Sequence, residues 1–422
     1  MTDLSKVLPT KSATVEAIEA YWLKRGQSEE PRGYLGASSI GAECSRQLWY
    51  SFRKCSEPKF DGRLYRLFNR GHREEPTFVE ELRGIGCEVH EVGADGNQFE
   101  VIACDGHFKG HTDGAALGIP EAPKTWHLLE MKTSSAKLFA KVEKEGCEKA
   151  NPKHFAQMQV YMHLTGLKRA LYMVVNKDTD ALYTERLRYD KTRSEAIIAK
   201  AQSIINATTP PERISDRADA FACKFCDARE LCHGVSEVAV DVPTLHCRQC
   251  VHASPVKDGK WHCAKHDKEA VEVCSEHLFL PGLIGFAEPT DSITNADGSS
   301  AIEFTSEDGT IWEHGSDEAR GQYPSTILQT TSKHLVFSGD NANDGKPDLQ
   351  QMYSLNNAEV NQVWAGTVEQ LKGAFEDRYQ VPMVRPNYTQ DGDGWSAAAF
   401  RGQCCIIISG NSAEIRESCI PF

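Results

Sequence analysis

The chain has 422 residues, 40% of them hydrophobic and 25% charged, ordinary globular usage with room for two or three domains. No stretch approaches about 18 uninterrupted apolar residues and no charged-then-apolar leader opens the chain, so no membrane span is expected and a cytoplasmic location is. The net charge of −13 is unevenly divided: residues 1–235 carry 34 Lys+Arg against 33 Asp+Glu, and residues 236–422 carry 13 against 27, which assigns any nucleic-acid partner to the first half.

In chain order, residues 14–26 read as a helix, and 36–53 as a loop that turns helical near Cys44. Residues 62–84 read as a helix with a kink expected near Pro76. On it Arg63, Arg66, Arg70 and Arg73 step by 3, 4 and 3, one face of a helix. Such a stripe can track a phosphate backbone, and it can equally be a solvated face. Short strands are expected at 86–93 and 98–104, then a strand with a glycine turn over 108–118 and a strand over 125–133. A helix follows around 153–166, a hairpin around the tetrapeptide KDTD, and a helix over 190–206. A cysteine-rich stretch runs from 223 to 274, and a mixed acidic region fills 285–422. No G-x-x-x-x-G-K-[ST] loop occurs, so no nucleotide cofactor is expected.

The strand HLLEMKTSS, residues 127–135, sets a glutamate and a lysine two positions apart in an apolar run. A strand period of two projects Glu130 and Lys132 together on one face. A buried charge there is costly unless it is paired or holds a metal. Seventeen residues earlier, Asp113 stands in GHTDG, where glycine permits close approach of another strand. Two carboxylates set side by side suit a hard divalent cation, Mg²⁺ or Mn²⁺. A lysine beside that cation has a lowered pKa and can orient or deprotonate a water. The set matches phosphodiester hydrolysis; a surface ion pair on a strand is the competing reading. Upstream, RGHREEP supplies Gly71, His72, Glu74 and Glu75; downstream, Gln157 and Tyr161 lie one helical turn apart.

The order G-x-x-x-E, G-x-x-D, E-x-K, Q-x-x-x-Y resembles the RecB-like branch of the PD-(D/E)XK nucleases over roughly residues 34–235. The resemblance implies a restriction-endonuclease-like core, a mixed sheet flanked by helices. It implies that Asp113 and Glu130 are metal ligands, that Lys132 is the catalytic lysine, and that Gln157 and Tyr161 contact nucleic acid near the active site. Glu75 takes the first-motif place after Gly71, with His72 and Glu74 as rivals for it.

Fifteen cysteines in a cytoplasmic chain point to metals rather than disulfides. Cys223, Cys226 and Cys232 form C-x2-C-x5-C, which needs a fourth ligand; His233 is badly placed, and Cys44 in CSRQLWY is the distant candidate. Iron–sulfur members of the RecB-like family have one cysteine before the nuclease core and three after it, so the resemblance implies a four-iron–four-sulfur cluster on these four residues. Zinc on the same ligands is the alternative. Cys247 and Cys250 form a C-x2-C knuckle, followed by Cys263 and Cys274, a set suited to structural zinc. His252, His262, His266 or His277 could replace one of the later cysteines.

The expectation is thus an α/β chain in three parts. Residues 1–235 form the nuclease domain with its cluster, 236–284 a metal-stapled Cys/His-rich module, and 285–422 an acidic domain of unknown fold that could face a partner protein. The expected function is a Mg²⁺- or Mn²⁺-dependent DNA nuclease, an exonuclease on single strands or DNA ends, in recombination, replication or repair and in a setting that includes phage. Arg63, Arg66 and Arg70 would serve DNA binding. The alternative is a non-catalytic DNA- or protein-binding scaffold stapled by metal centres.

Overall fold

The computed structural model describes residues 12–29, 32–235, 242–306, 309–317 and 321–329, together with the backbone of four strands between 387 and 419. The chain divides into two units. One comprises Met1–Asp216, Phe225–Ala228 and Ala253–Ala270, the other Arg217–Lys224, Arg229–His252 and Val271–Phe422.

The first unit begins with α1 (Ala13–Gln27), β1 (Leu35–Gly36), α2 (Ser45–Phe52) and α3 (Gly62–Gly84). Asp61 caps α3 by accepting a 2.7 Å hydrogen bond from Leu64 N. The helix is assigned unbroken through Pro76. Strands β2 (Glu88–His90), β3 (Glu100–Ala103), β4 (Phe108–His111), β5 (Ala115–Leu117) and β6 (His127–Ser134) follow. Then come α4 (Ala136–Ala150), α5 (Pro152–Thr165), β7 (Arg169–Asn176), β8 (Leu182–Arg188) and α6 (Lys191–Asn206). Helix α4 was not expected from the sequence.

A five-stranded sheet runs β2-β5-β6-β7-β8. Its only parallel pair among the described residues is β6 with β7, in register Glu130↔Tyr172. A parallel pair needs a crossover, and α4 with α5 supplies it. One face of the sheet buries Leu129, Met131, Leu171 and Met173 against Phe78, Val79 and Leu82 of α3. Helices α4 and α5 also pack on β6 and β7; by strand alternation the face carrying Leu128, Glu130, Tyr172 and Val174 is opposite that of Leu129 and Met131. Both faces being covered explains why β6 reads as a continuous apolar run. A small sheet, β1-β4-β3, lies alongside. A Cβ on Gly110 of β4 would run into the Tyr161 ring, so the glycine is what lets α5 approach.

The first unit also includes a three-stranded ribbon, β9 (Ala253–Pro255), β10 (Trp261–Cys263) and β11 (Lys268–Glu269). Trp261 is buried against Phe52, with ring centroids 5.4 Å apart, and the Arg53 guanidinium lies 5.1 Å from its ring. His107 Nε2 donates to Val256 O at 2.7 Å. The 236–284 segment is therefore shared between the two units. Among described residues the second unit holds α7 (Arg229–His233), the meander β12 (Ala287–Thr294), β13 (Ser300–Ser306) and β14 (Ile311–Gly315), and α8 (Ser325–Leu328). It also holds a four-stranded antiparallel sheet of β15 (Asn387–Asp391), β16 (Gly394–Arg401), β17 (Cys404–Ser409) and β18 (Ser412–Cys419). Most of the remaining acidic region, residues 330–386, lies outside the described residues. No helix among the described residues is long and apolar enough to cross a membrane.

Candidate active site

Strand β5 pairs with β6 only at Ala115↔Leu128 and Ala116↔His127. Gly114, with φ +119°, turns the chain just before β5. That turn lets Leu129 N donate to Gly114 O at 2.9 Å, while Met131 N donates to Asp113 Oδ2 at 2.7 Å. The Asp113 carboxylate thus extends the ladder beyond the end of β5 and is fixed beside Glu130. Glu130 is 0% exposed. Its Oε1 lies 2.5 Å from Lys132 Nζ in an ion pair, yet neither oxygen has a well-directed hydrogen bond. Lys132 Nζ is 3.7 Å from Asp113 Oδ2 and donates to Met131 O at 3.0 Å, with 27% of the side chain exposed. The ammonium stands between the two carboxylates.

Burial pushes the Glu130 carboxyl up to about 7; Lys132 opposes the rise, and Asp113 and Glu75 add to it. Burial works against the charge on Lys132, but attraction from Glu130 and Asp113 outweighs it and the pKa is raised. The lowering expected of this lysine belongs to a cation-bound site; between the two carboxylates alone it is held charged. Glu75, on α3, is raised by burial and then by Asp113, with His72 and Lys132 pulling the other way. His72 Nδ1 lies 3.4 Å from Glu75 Oε1. Of the three first-motif rivals, Glu75 thus lies within the field of Asp113 and Lys132, and His72 pairs with it.

Gln157 and Tyr161 come from α5 and are both buried. Gln157 Nε2 donates to Tyr161 OH at 3.3 Å, and the Tyr161 pKa is raised, by burial first and by Glu130 second. Their burial makes them the wall of the site more than an open contact surface. The sequence reading missed His154, which precedes Gln157 by three residues and shares its helix face. Asn151 Nδ2 donates to Tyr172 OH at 3.3 Å, and Tyr172 OH pairs with His154 Nδ1 at 2.7 Å. Burial, then Lys132 and Lys153, lowers His154 to about 4, so its imidazole is neutral. Residues 154, 157 and 161 recur at i, i+3 and i+7, which is the signal that could have found it.

The donor set suits a hard divalent cation. Glu130 offers buried oxygens without directed hydrogen bonds, Asp113 is fixed by a backbone amide, and carboxylate oxygens are the ligands Mg²⁺ and Mn²⁺ take. Among the described residues, no three His, Cys, Asp or Glu side chains are closed around one point; at this site the lysine ammonium sits between the acids.

Of the DNA-binding candidates, Arg63 and Arg66 are exposed on α3, while Arg70 Nη2 donates to Lys177 O at 2.9 Å and is half-buried. Cys44 caps α2, accepting from Gln47 N at 3.4 Å. Cys44, Cys226 and Cys263 belong to the first unit, and Cys223, Cys232, Cys247, Cys250 and Cys274 to the second.

No family model matches the chain, and no curated protein matches it. Among solved structures it is similar to an alkaline exonuclease, LHK-Exo, from Laribacter hongkongensis, at 18% identity and TM-score 0.31 over 45% of this chain and 90% of that one. LHK-Exo in complex with dAMP matches at 19% identity and TM-score 0.31 over the same shares. SSO0001 matches at 16% identity and TM-score 0.31 over 51% of this chain and 94% of that one.

Proposed function

We propose that the chain is a metal-dependent nuclease that hydrolyses phosphodiester bonds in DNA, acting on single strands or ends. The observation that carries this reading is the junction of β5 and β6. A fully buried carboxylate without directed hydrogen bonds, a second carboxylate fixed by a backbone amide, and a charged lysine meet where β5 ends beside β6.

Asp113 and Glu130 would hold Mg²⁺ or Mn²⁺, with Glu75 beside them. When bound, the ion supplies Lewis-acid polarisation of the phosphate and a lowered pKa for an attacking water. Lys132 would offer its ammonium to the negative charge that builds on the phosphate oxygens in the transition state. Tyr161 and Gln157, buried on α5, would wall that side of the site. The cysteine spacing further supports an iron–sulfur cluster on Cys44, Cys223, Cys226 and Cys232, and zinc on Cys247, Cys250, Cys263 and Cys274.

The test is cleavage of end-labelled single- and double-stranded DNA by anaerobically purified protein with Mg²⁺, Mn²⁺ or EDTA. Asp113→Asn, Glu130→Gln and Lys132→Ala are assayed in parallel. Metal-dependent cleavage that falls at least about 10²-fold in each variant is expected. Retention of full activity in any two of them overturns the assignment of the site. Absence of cleavage on every substrate by a folded protein turns the reading to the binding scaffold.

A further inference from the structure

Strand β7 and the start of α5 hold a hydrogen-bonded chain that cation binding by Asp113 and Glu130 does not use. Tyr172 is 0% exposed, and its hydroxyl accepts from Asn151 Nδ2 at 3.3 Å. The same hydroxyl lies 2.7 Å from His154 Nδ1. A buried hydroxyl proton without an acceptor is costly, and His154 Nδ1 is the acceptor within reach of this one among the described residues. Tyr172 therefore donates to Nδ1, and the neutral imidazole carries its own proton on Nε2. His154 is half-buried; its Nε2 has no partner among the described residues and is open to solvent.

The fold sets this donor beside the proposed cation site. Strands β6 and β7 run in register Glu130↔Tyr172, so the two side chains rise from one face a strand spacing apart, about 4.8 Å. Asp113 stands on the other side of Glu130, fixed to β6 through Met131 N. Asp113, Glu130 and Tyr172 thus come in order across the sheet, with His154 over the last of them. A cation between Asp113 and Glu130 would lie about one and a half spacings, roughly 7 Å, to the side of the imidazole. That exceeds the roughly 5 Å spanned by a metal–oxygen bond and a hydrogen bond in line. His154 is thus too far to reach an oxygen on the cation.

The charges acting on His154 are positive. Burial first, then Lys132 and Lys153, hold its pKa down at about 4. Lys153 is exposed and has no ion pair among the described residues. His154 also belongs to the first turn of α5, the end of a helix that carries partial positive charge. A neutral donor in a positive field suits an anion. In a nucleic-acid strand bound at the cation, the anion one step away is the neighbouring phosphate.

We propose that His154 donates a hydrogen bond from Nε2 to the phosphate next to the one hydrolysed, with Tyr172 and Asn151 as positioning residues that fix its tautomer. The proposal rests on the nuclease reading for its substrate.

The experiment replaces one phosphate at a time by a neutral methylphosphonate. Single-stranded DNA with the replacement at each position flanking the cleaved bond is cut by the full chain with Mg²⁺, and bound by it in EDTA under fluorescence anisotropy. His154→Ala is expected to lower kcat/KM on the unmodified strand about 10- to 150-fold, the range for a hydrogen bond to a charged group. With the methylphosphonate at one flanking position, wild type and variant become equal; at the other positions the gap stays. Tyr172→Phe, which releases the ring, gives a smaller loss and adds nothing to His154→Ala. Should His154→Ala not fold, His154→Gln is carried through the same series. Nitrogen-15 correlation spectra of the imidazoles read the tautomer in the free protein, with the signal missing from His154→Gln giving the assignment, and the proton is expected on Nε2. A gap that persists at every position makes His154 a packing residue and overturns the proposal, as does a proton on Nδ1. In a chain that cleaves nothing, the binding series decides. Discrimination against one methylphosphonate that is lost in His154→Ala keeps the donor and removes the nuclease reading; equal affinities of wild type and variant for every strand remove the donor as well.

Discussion

Glu130 is 0% exposed and 2.5 Å from the Lys132 ammonium, and a charge so placed is tolerable only in company. Removing one member of a buried pair leaves the other desolvated and uncompensated, at about 3–5 kcal/mol, whereas removing both can be nearly neutral. Lys132→Met is therefore expected to destabilise the first unit by about 3 kcal/mol, and the double variant with Glu130→Gln to lose less than the two single losses together. A coupling energy of about 1–3 kcal/mol is expected. Native-state hydrogen exchange of β6 and β7 peptides reads it, and simple additivity would show that the two side chains stabilise the strand independently. This pair was legible in the sequence because strand alternation alone puts positions 130 and 132 together, and the glycine after Asp113 announced the turn that brings it alongside. Tyr172 was not legible: its place beside Glu130 comes from the β6–β7 register, which depends on a crossover of two helices and leaves no local trace. The rise in the Lys132 pKa was equally hidden, because its sign depends on how many carboxylates the fold gathers.

At the scale of elements, α3 and α5 were read nearly at their observed limits, because each carries a long periodic pattern and α3 opens on an Asp cap. Helix α4 was missed. Its buried positions are Phe139, Val142, Cys147 and Ala150, an interrupted stripe, and Gly146 inside it has φ +74°. Leu138 is 51% exposed and blurs the apolar face further. What identifies the segment is its function as the β6–β7 crossover, a property of the whole sheet. The β12–β14 meander offers a test of the same kind. His314, on β14, accepts from Phe279 N at 2.9 Å through Nε2 and donates to Tyr323 O at 2.7 Å through Nδ1. The bond accepted at Nε2 requires the neutral ring, and burial lowers its pKa to about 4. His277, joined to it through Ser325, is lowered to about 4 by the same cause. A histidine depressed in the folded state contributes stability that is complete above its unfolded value of about 6.5 and erodes as pH falls toward 4. The protection factor of the Phe279 amide is expected to be flat from pH 8 to 7 and to fall below pH 6, by up to about tenfold per pH unit for each ring that takes a proton on opening. Constant protection down to pH 4.5 would mean that these rings titrate alike folded and unfolded.

For the whole molecule, charge and cysteine are the two distributions that remain to be connected with the fold. The acid excess lies after residue 235 and the sheet with the candidate active site before it; under the proposed function a polyanionic substrate would be repelled by the acidic segment and tolerated by the other. Two groups of cysteines stand out. Cys55 and Cys147 are buried thiols whose pKa values burial raises, which marks them as inert packing residues. Seven more, at 223, 226, 232, 247, 250, 263 and 274, crowd into one stretch of the sequence with Cys44 far upstream, and the proposed cluster would fasten residue 44 to residue 223. Closing a chain loop of that length removes much unfolded-state entropy, so loss of such a metal lowers stability as well as colour. Anaerobically purified protein is therefore expected to be brown and to contain iron, acid-labile sulfide and zinc. Cys226→Ser is expected to lose the iron and the colour, keep the zinc, and unfold at lower temperature; Cys250→Ser is expected to lose only the zinc. Adding Mn²⁺ should raise the unfolding temperature of the wild type, as a ligand of the folded state does, and leave Asp113→Asn unmoved. Iron lost from Cys250→Ser as well would mean that the two cysteine sets do not hold separate centres. A Mn²⁺ shift that persisted in Asp113→Asn would move the divalent site away from the β5–β6 junction.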